Sequence, residues 1–138
     1  MKTVFVDASF WVSLVNAHDT LHPATQKLSR EYGDAQWVTT DAVLWETLNF
    51  YSSFSGHIRV LVAATIESIM DEPNLEIVTG GRNWLIASSE FYRKRKDKQW
   101  SGVDCFSMLV MESKGIQDVL TTDHHFRQAG FKALMLEA

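Results

Sequence analysis

Four carboxylates stand where this chain of 138 residues passes from one element to the next: Asp7, Glu46, Asp104 and Asp123. Asp7 directly follows the apolar, β-branched run Thr3-Val4-Phe5-Val6, and Asp123 directly follows Val119-Leu120-Thr121-Thr122. Asp104 lies in the first helical turn after Ser101, and Glu46 in the second turn of a helix beginning near Asp41. In a parallel α/β sheet the strand ends and helix starts on one side border a single crevice, where ligands bind. Four acids gathered there repel, by about 4 kcal/mol for a pair roughly 4 Å apart at an effective dielectric of about 20. Such a cluster needs countercharge. Oxygen donors without a cysteine set or an ordered histidine pair favour Mg²⁺ or Mn²⁺ over zinc. A carboxylate-held cation of that kind suits phosphate chemistry, since it activates water and stabilises charge developing on a phosphodiester.

Each acid also has a plainer reading. Asp104 and Asp123 sit near helix starts, where free amides and the helix dipole favour a carboxylate without any catalysis. Glu46 taken alone is a solvated helix residue, whereas Asp7, straight after a buried strand, points more directly to a site. Asp41 is equally well placed, and is assigned capping only.

The elements that must position these acids alternate along the chain. Residues 3–6 read as a buried parallel strand, and 8–15 as a helix with Trp11, Leu14 and Val15 on one face. Pro23 occupies a permitted early helical position, and that helix runs to Tyr32 with Gly33 as a left-handed cap. A second strand covers 36–40, with Asp41 as N-cap of the helix carrying Val43, Leu44, Trp45, Leu48 and Phe50. Residues 58–70 form a further helix ended by Pro73, and 75–78 a third strand. After Gly80-Gly81, helices over 83–96 and 101–113 precede Gly115 as a cap, a strand over 118–121, a short helix over 123–129 and a last strand over 132–135. Five strands alternating with helices predict a parallel sheet covered on both faces.

Length and composition bound the answer further. At 138 residues the expectation is one domain, 1–138, without linker or repeat. A hydrophobic content of 46% with 22% charged residues describes a globular protein. The strongest apolar run, 60–66, is too short for a membrane span of about 20 residues. Asp7 interrupts what would be the apolar region of a signal peptide, so a cytoplasmic location is expected. The single cysteine, Cys105, allows no intrachain disulfide and no zinc pattern, and reads as a small core residue. The net charge of −4 argues against a dedicated nucleic-acid binder. Gathering four acids at one cation would leave the rest of the chain balanced, and a bound cation reverses the local field.

One stretch is concentrated in positive charge: Arg93-Lys94-Arg95-Lys96-Asp97-Lys98, followed by Trp100. It reads equally as a phosphate-tracking edge leading toward Asp104 and as a solvated helix C-terminus favoured by the dipole. His124 and His125 are read as surface residues ahead of substrate contacts, and Trp11, Trp37, Trp45 and Trp84 as core or interface packing.

Four motifs in order, Val-Phe-Val-Asp7-Ala-Ser9, Thr-Thr-Asp-Ala-Val-Leu-Trp-Glu46, Trp100-Ser-Gly-Val-Asp104-Cys and Leu-Thr121-Thr-Asp123-His-His-Phe, resemble the PIN-domain ribonucleases. The likeness is greatest to the VapC-like toxins of toxin–antitoxin pairs, and it covers essentially the whole chain. It implies a three-layer α/β/α PIN-like fold whose parallel five-stranded sheet has the order 3-2-1-4-5. It also implies a divalent-metal endoribonuclease with Asp7, Glu46, Asp104 and Asp123 as ligands, held directly or through water, and with Ser9 and Thr121 as supporting hydroxyls. The implied reaction is hydrolysis of an RNA phosphodiester to a 5′-phosphate and a 3′-hydroxyl. A homodimer and a cognate antitoxin are implied as partners. Gly102 departs from the apolar residue usual there, and should loosen the helix start by up to about 1 kcal/mol.

The alternatives are a housekeeping PIN nuclease of RNA processing and a non-catalytic PIN-like RNA-binding module. The presence of all four acids counts against the second. A haloacid-dehalogenase phosphatase would need a second aspartate where Ser9 stands, and a receiver domain an aspartate after the third strand, where Val78-Thr79-Gly80 has none.

Overall fold

A computed structural model describes residues 2–137. The short apolar runs form five strands, β1 (Thr3–Val6), β2 (Gln36–Thr40), β3 (Leu75–Val78), β4 (Asp118–Leu120) and β5 (Lys132–Ala133). Between them lie helices α1 (Ala8–Val15), α2 (His22–Glu31), α3 (Asp41–Phe50), α4 (Gly56–Ile69), α5 (Arg82–Lys94), α6 (Gly102–Lys114) and α7 (His124–Gln128).

All strand pairings are parallel, and the order is β3-β2-β1-β4-β5. β1 is therefore central, with Val4 facing both Trp37 and Asp118 in register, and Val4, Phe5 and Val6 are fully buried. The chain builds outward from β1 through β2 to β3, then crosses back to β4 and β5. Right-handed crossovers in these two directions lie on opposite faces of the sheet, giving three α/β/α layers. The reversal places the carboxyl ends of β1 and β4 side by side, and Asp7 and Thr121 are the next residue of each.

Local departures from the expected elements have identifiable causes. The last strand stops at Ala133: after the pair Val119–Ala133 the chain turns into a 3₁₀ segment, Leu134–Leu136, that buries Leu134 and Met135 without extended pairing. Gly33 is not a left-handed cap, since α2 closes at Tyr32, and positive φ occurs among the described residues only at Gly81, Gly115 and Gly130. Asp41 is not the N-cap of α3: Thr40 takes that place, its hydroxyl accepting from the Val43 amide, and Asp41 is the first helical residue. The Asp41 carboxylate instead accepts from the Gly80 amide at 3.0 Å, tying α3 to the loop after β3. α5 ends two residues early because Arg95 leaves it to pair with Asp97 at 3.0 Å and stack over Trp100.

The helix that presents Asp104 is fixed at both ends. Ser101 and Asp104 form a reciprocal capping box, so Gly102 at the first helical position opens nothing that the cap does not hold. At the other end Gly115 adopts φ 67°, and the Ile116 amide donates to the Met111 carbonyl at 2.9 Å. Gly115→Ala forces a side chain into this left-handed position. It should cost about 1 kcal/mol, read as a lower midpoint of urea unfolding at unchanged slope.

Candidate active site

Asp7 occupies the N-cap position of α1 in extended conformation, yet its side chain makes no capping bond. Its Oδ2 instead accepts from the Thr121 hydroxyl at 2.7 Å. Thr121 Oγ1 also accepts from the Asp123 amide at 3.0 Å and lies 3.3 Å from Ser9 Oγ. Since the Thr121 proton is committed to Asp7, Ser9 is the donor in that third contact. Ser9 Oγ in turn accepts from the Thr122 amide at 3.0 Å. The sequence-expected hydroxyls thus form one directed chain from Ser9 through Thr121 to Asp7.

Asp104 and Asp123 lie together across this relay. Asp104 is only 6% exposed, and its Oδ2 accepts from the Ser101 amide at 3.0 Å within the capping box. Asp123 caps α7, with Oδ1 accepting from the His125 amide at 2.9 Å. His125 Nδ1 stands 2.9 Å from Asp104 Oδ2 and 3.2 Å from Asp123 Oδ1. One ligand atom from each of Asp104, Asp123 and His125 lies within 4.8 Å of the others. His125 is therefore part of the site, not a surface residue, while His124 is exposed. The signal in the sequence is its place two residues after Asp123: a side chain in the first turn leans back toward the helix N-terminus.

Asp7 and Glu46 share the field of this trio without belonging to it. Burial pushes the Asp7 carboxyl up to about 6, against the lowering hydrogen bonds of Thr121 and Ala8, and the charges of Asp104 and Asp123 raise it further. Burial also pushes Glu46 up to about 7, reinforced by Asp7, Asp104 and Asp123. Among the described residues no Lys or Arg forms an ion pair with any of the four acids, and Glu46 makes no side-chain hydrogen bond. Two of the four acids are held above their ordinary range in a site with oxygen donors and one imidazole but no protein cation, an arrangement that fits a divalent cation.

The basic stretch borders this region. Arg93, Arg95, Lys96 and Lys98 line a groove of about 510 Å³ together with Trp100 and Ser101, the residue that caps the Asp104 helix. Arg95 is held by Asp97 and by the Trp100 ring, 4.6 Å from its centroid, and Lys98 stands 3.9 Å from Asp97. Lys94 ends α5 and is exposed. Cys105 is buried in the core and Trp11 lies in the same cluster, but Trp45 is 65% exposed and packs in no core.

Residues 4–132 match the family model described as the PIN domain. The chain is 33% identical over 133 residues to the 23S rRNA-specific endonuclease VapC20 of Mycobacterium tuberculosis strains CDC 1551 and H37Rv, covering 93% of this chain and 95% of that protein. The crystal structure of Mycobacterium tuberculosis VapC20, described as a sarcin-ricin loop cleaving toxin, matches with a TM-score of 0.80 at 27% identity. That match covers 93% of this chain and 95% of the other.

The raised carboxyls make stability depend on pH in a stated direction. Asp7 and Glu46 titrate above their ordinary values of 3.8 and 4.5, so the folded chain holds protons that the unfolded chain releases. Their stabilising share is complete below about pH 4 and is lost as pH rises through about 6 to 7. In chelator, the melting temperature should therefore fall more steeply between about pH 5 and about pH 8 for the natural chain than for Asp7→Asn/Glu46→Gln. Added Mg²⁺ should restore the natural chain at the upper end and leave the double variant nearly unmoved. Superimposable pH profiles would contradict this electrostatic picture.

Proposed function

This chain belongs to the PIN-domain family, and on that premise we propose that it is a divalent-metal-dependent endoribonuclease, the toxin of a toxin–antitoxin pair. The observation that supports the reading is the gathering of Asp104, Asp123 and His125 within 4.8 Å of one another, with Asp7 and Glu46 near enough to feel the charges of the two aspartates. Mg²⁺ or Mn²⁺ is the fitting ion, held by Asp104 and Asp123 with Asp7 and Glu46 completing the charge, directly or through water. When bound, the cation supplies water activation and charge stabilisation for hydrolysis of an RNA phosphodiester.

The protein's own part is positional. Thr121 holds Asp7 Oδ2 in one orientation, and Ser9 fixes Thr121. His125 and the Ser101 amide both engage Asp104 Oδ2, which leaves Oδ1 without a hydrogen bond from the described residues. Without a cation Asp7 and Glu46 are raised to about 6 and about 7, and a bound cation would draw both into the ionised form that holds it. Arg93, Lys94, Arg95, Lys96 and Lys98 track the phosphates on the approach to Asp104. The products are a 5′-phosphate and a 3′-hydroxyl, and no protein nucleophile is used.

Partners follow from the surface. Among the described residues no helix is long and apolar enough to cross a membrane, and the protein is read as cytoplasmic. Phe50 at the end of α3, Phe54 in the turn after it, and Val60 and Leu61 on α4 are exposed apolar side chains suited to a homodimer or to a segment of a cognate antitoxin. The RNA on which the similar mycobacterial endonuclease acts, 23S rRNA, is the first to assay.

Purified protein should cut RNA with Mg²⁺ or Mn²⁺ and not in chelator. Asp7→Asn and Asp104→Asn should each lower the rate by at least about 100-fold, and Thr121→Val by about 10-fold to 100-fold. Metal-independent cleavage, or full activity in both acid variants, would sink the mechanism. Expression should arrest growth, and co-expression of a small neighbouring-gene product should relieve it; confirmed expression without arrest would speak for a housekeeping nuclease instead.

A further inference from the structure

His125 brings a nitrogen donor among the oxygens of the site, and its own backbone holds it there. Its amide donates to Asp123 Oδ1 at 2.9 Å, closing the first turn of α7. The next residue, Phe126, is fully buried and fixes that turn against the core. The ring then places Nδ1 2.9 Å from Asp104 Oδ2 and 3.2 Å from Asp123 Oδ1, although one acid belongs to α6 and the other to the cap of α7.

Two contacts of that length admit two roles. Between carboxylate oxygens, which accept, Nδ1 carries the hydrogen in the ion-free chain, and His125 then only ties the acids together. The spacing is also that of neighbouring donors around one ion. Ligands about 2.1 Å from an octahedral cation stand about 3.0 Å apart along each edge, close to both observed distances. Each of the two oxygens accepts one amide bond, from Ser101 or from His125, and a carboxylate oxygen keeps a second lone pair for an ion. The His125 and Asp123 side chains are part-exposed, so this group of donors is open to solvent. A neutral imidazole carries its hydrogen on either nitrogen. Moving it from Nδ1 to Nε2 leaves the charge of the ring unchanged and turns the Nδ1 lone pair toward the two acids.

An imidazole changes which ion fits. Oxygen donors suit Mg²⁺, Ca²⁺ and Mn²⁺ alike, whereas a nitrogen donor favours first-row transition ions. We propose that His125 Nδ1 is a direct ligand of the cation beside Asp104 and Asp123, and that it makes the site selective for Mn²⁺ over Mg²⁺. The inference rests on the divalent-metal reading of this site and narrows it to one ion.

The test is read on the ion rather than on RNA. Electron spin-echo spectra of Mn²⁺ bound to the full chain should show coupling to a directly bonded nitrogen. His124→Asn should keep that coupling and His125→Asn should lose it. Asparagine can return an N–H to both carboxylates but offers no imidazole lone pair, so it separates ligation from positioning. In competition titrations the natural chain should hold Mn²⁺ at least about tenfold more tightly than Mg²⁺. His125→Asn should lose most of that margin by weakening Mn²⁺ alone. Saturable Mn²⁺ binding to the natural chain without nitrogen coupling overturns the proposal, and this measurement needs no variant to fold. A margin that survives in His125→Asn, or equal losses for both ions, also overturns it and leaves His125 as a residue that only positions the acids. Cleavage of RNA is scored separately. Nitrogen-coupled Mn²⁺ without cleavage supports the ligand and removes the nuclease reading, whereas cleavage in Mn²⁺ without nitrogen coupling removes the ligand alone. No saturable Mn²⁺ binding at all overturns the ligand and the metal reading together.

Discussion

The Asp7 amide donates to the Leu120 carbonyl at 3.1 Å, carrying the pairing of β1 with β4 one residue beyond the end of β1. That bond sets the register in which the carboxyl ends of two non-consecutive strands meet, and each later feature of the site presupposes it. With the backbone so joined, Thr121 lies directly across from Asp7 and its hydroxyl reaches the carboxylate. Slipping β4 by one residue against β1 would turn its side chains to the opposite face and separate Thr121 from Asp7. The full burial of Val4, Phe5 and Val6 against Val119 and Leu120 makes that slip prohibitive, so the hydrophobic core is what holds the chemistry in place.

Charge sets the second constraint. Asp7 is 5% exposed and Asp104 nearly as hidden, and burying carboxylates so close together opposes folding. Elsewhere the chain pairs some of its acids with bases: Glu76 with Lys114, Asp97 with Arg95, and Glu137 with Lys132. At the sheet's switch point it does not. The raised Asp7 and Glu46 carboxyls record the absence of protein countercharge, and they concern the same side chains that the cation would bind. Stability given up at that one place would be recovered if a cation bound there, since binding to the folded form alone adds to its stability.

How much of this was legible in the sequence depends on the range of the interaction. Strand ends are marked by where an apolar run meets an acid, so Asp7 and Asp123 declare themselves, and the alternation of elements declares the sheet. Glu46 needed the register of α3, which Thr40 rather than Asp41 sets; the offset is one residue and leaves Glu46 in the second turn. His125 was read as surface because nothing local distinguishes it from His124, and only the approach of α6 to α7 brings Asp104 within 2.9 Å. Trp84 packs against the core as the sequence suggests, whereas Trp45 stands 65% exposed although tryptophans commonly are buried.

Capping and ion binding are competing explanations for these acids from sequence, and the geometry makes the two compatible. A carboxylate has two oxygens. In Asp104 the capping box occupies Oδ2, and in Asp123 the cap occupies Oδ1. The helix amides thereby lock each side chain in one orientation and leave a second oxygen free of amide contacts. His125, wedged between the two occupied oxygens, removes the remaining freedom. Asp7, which lacks a capping bond, is locked by Thr121 instead. A flexible acid loses side-chain entropy on binding an ion; one already held by its own helix does not lose it again. The dipole and free amides that make these helix starts ordinary places for aspartate are, in this fold, what prepares the site.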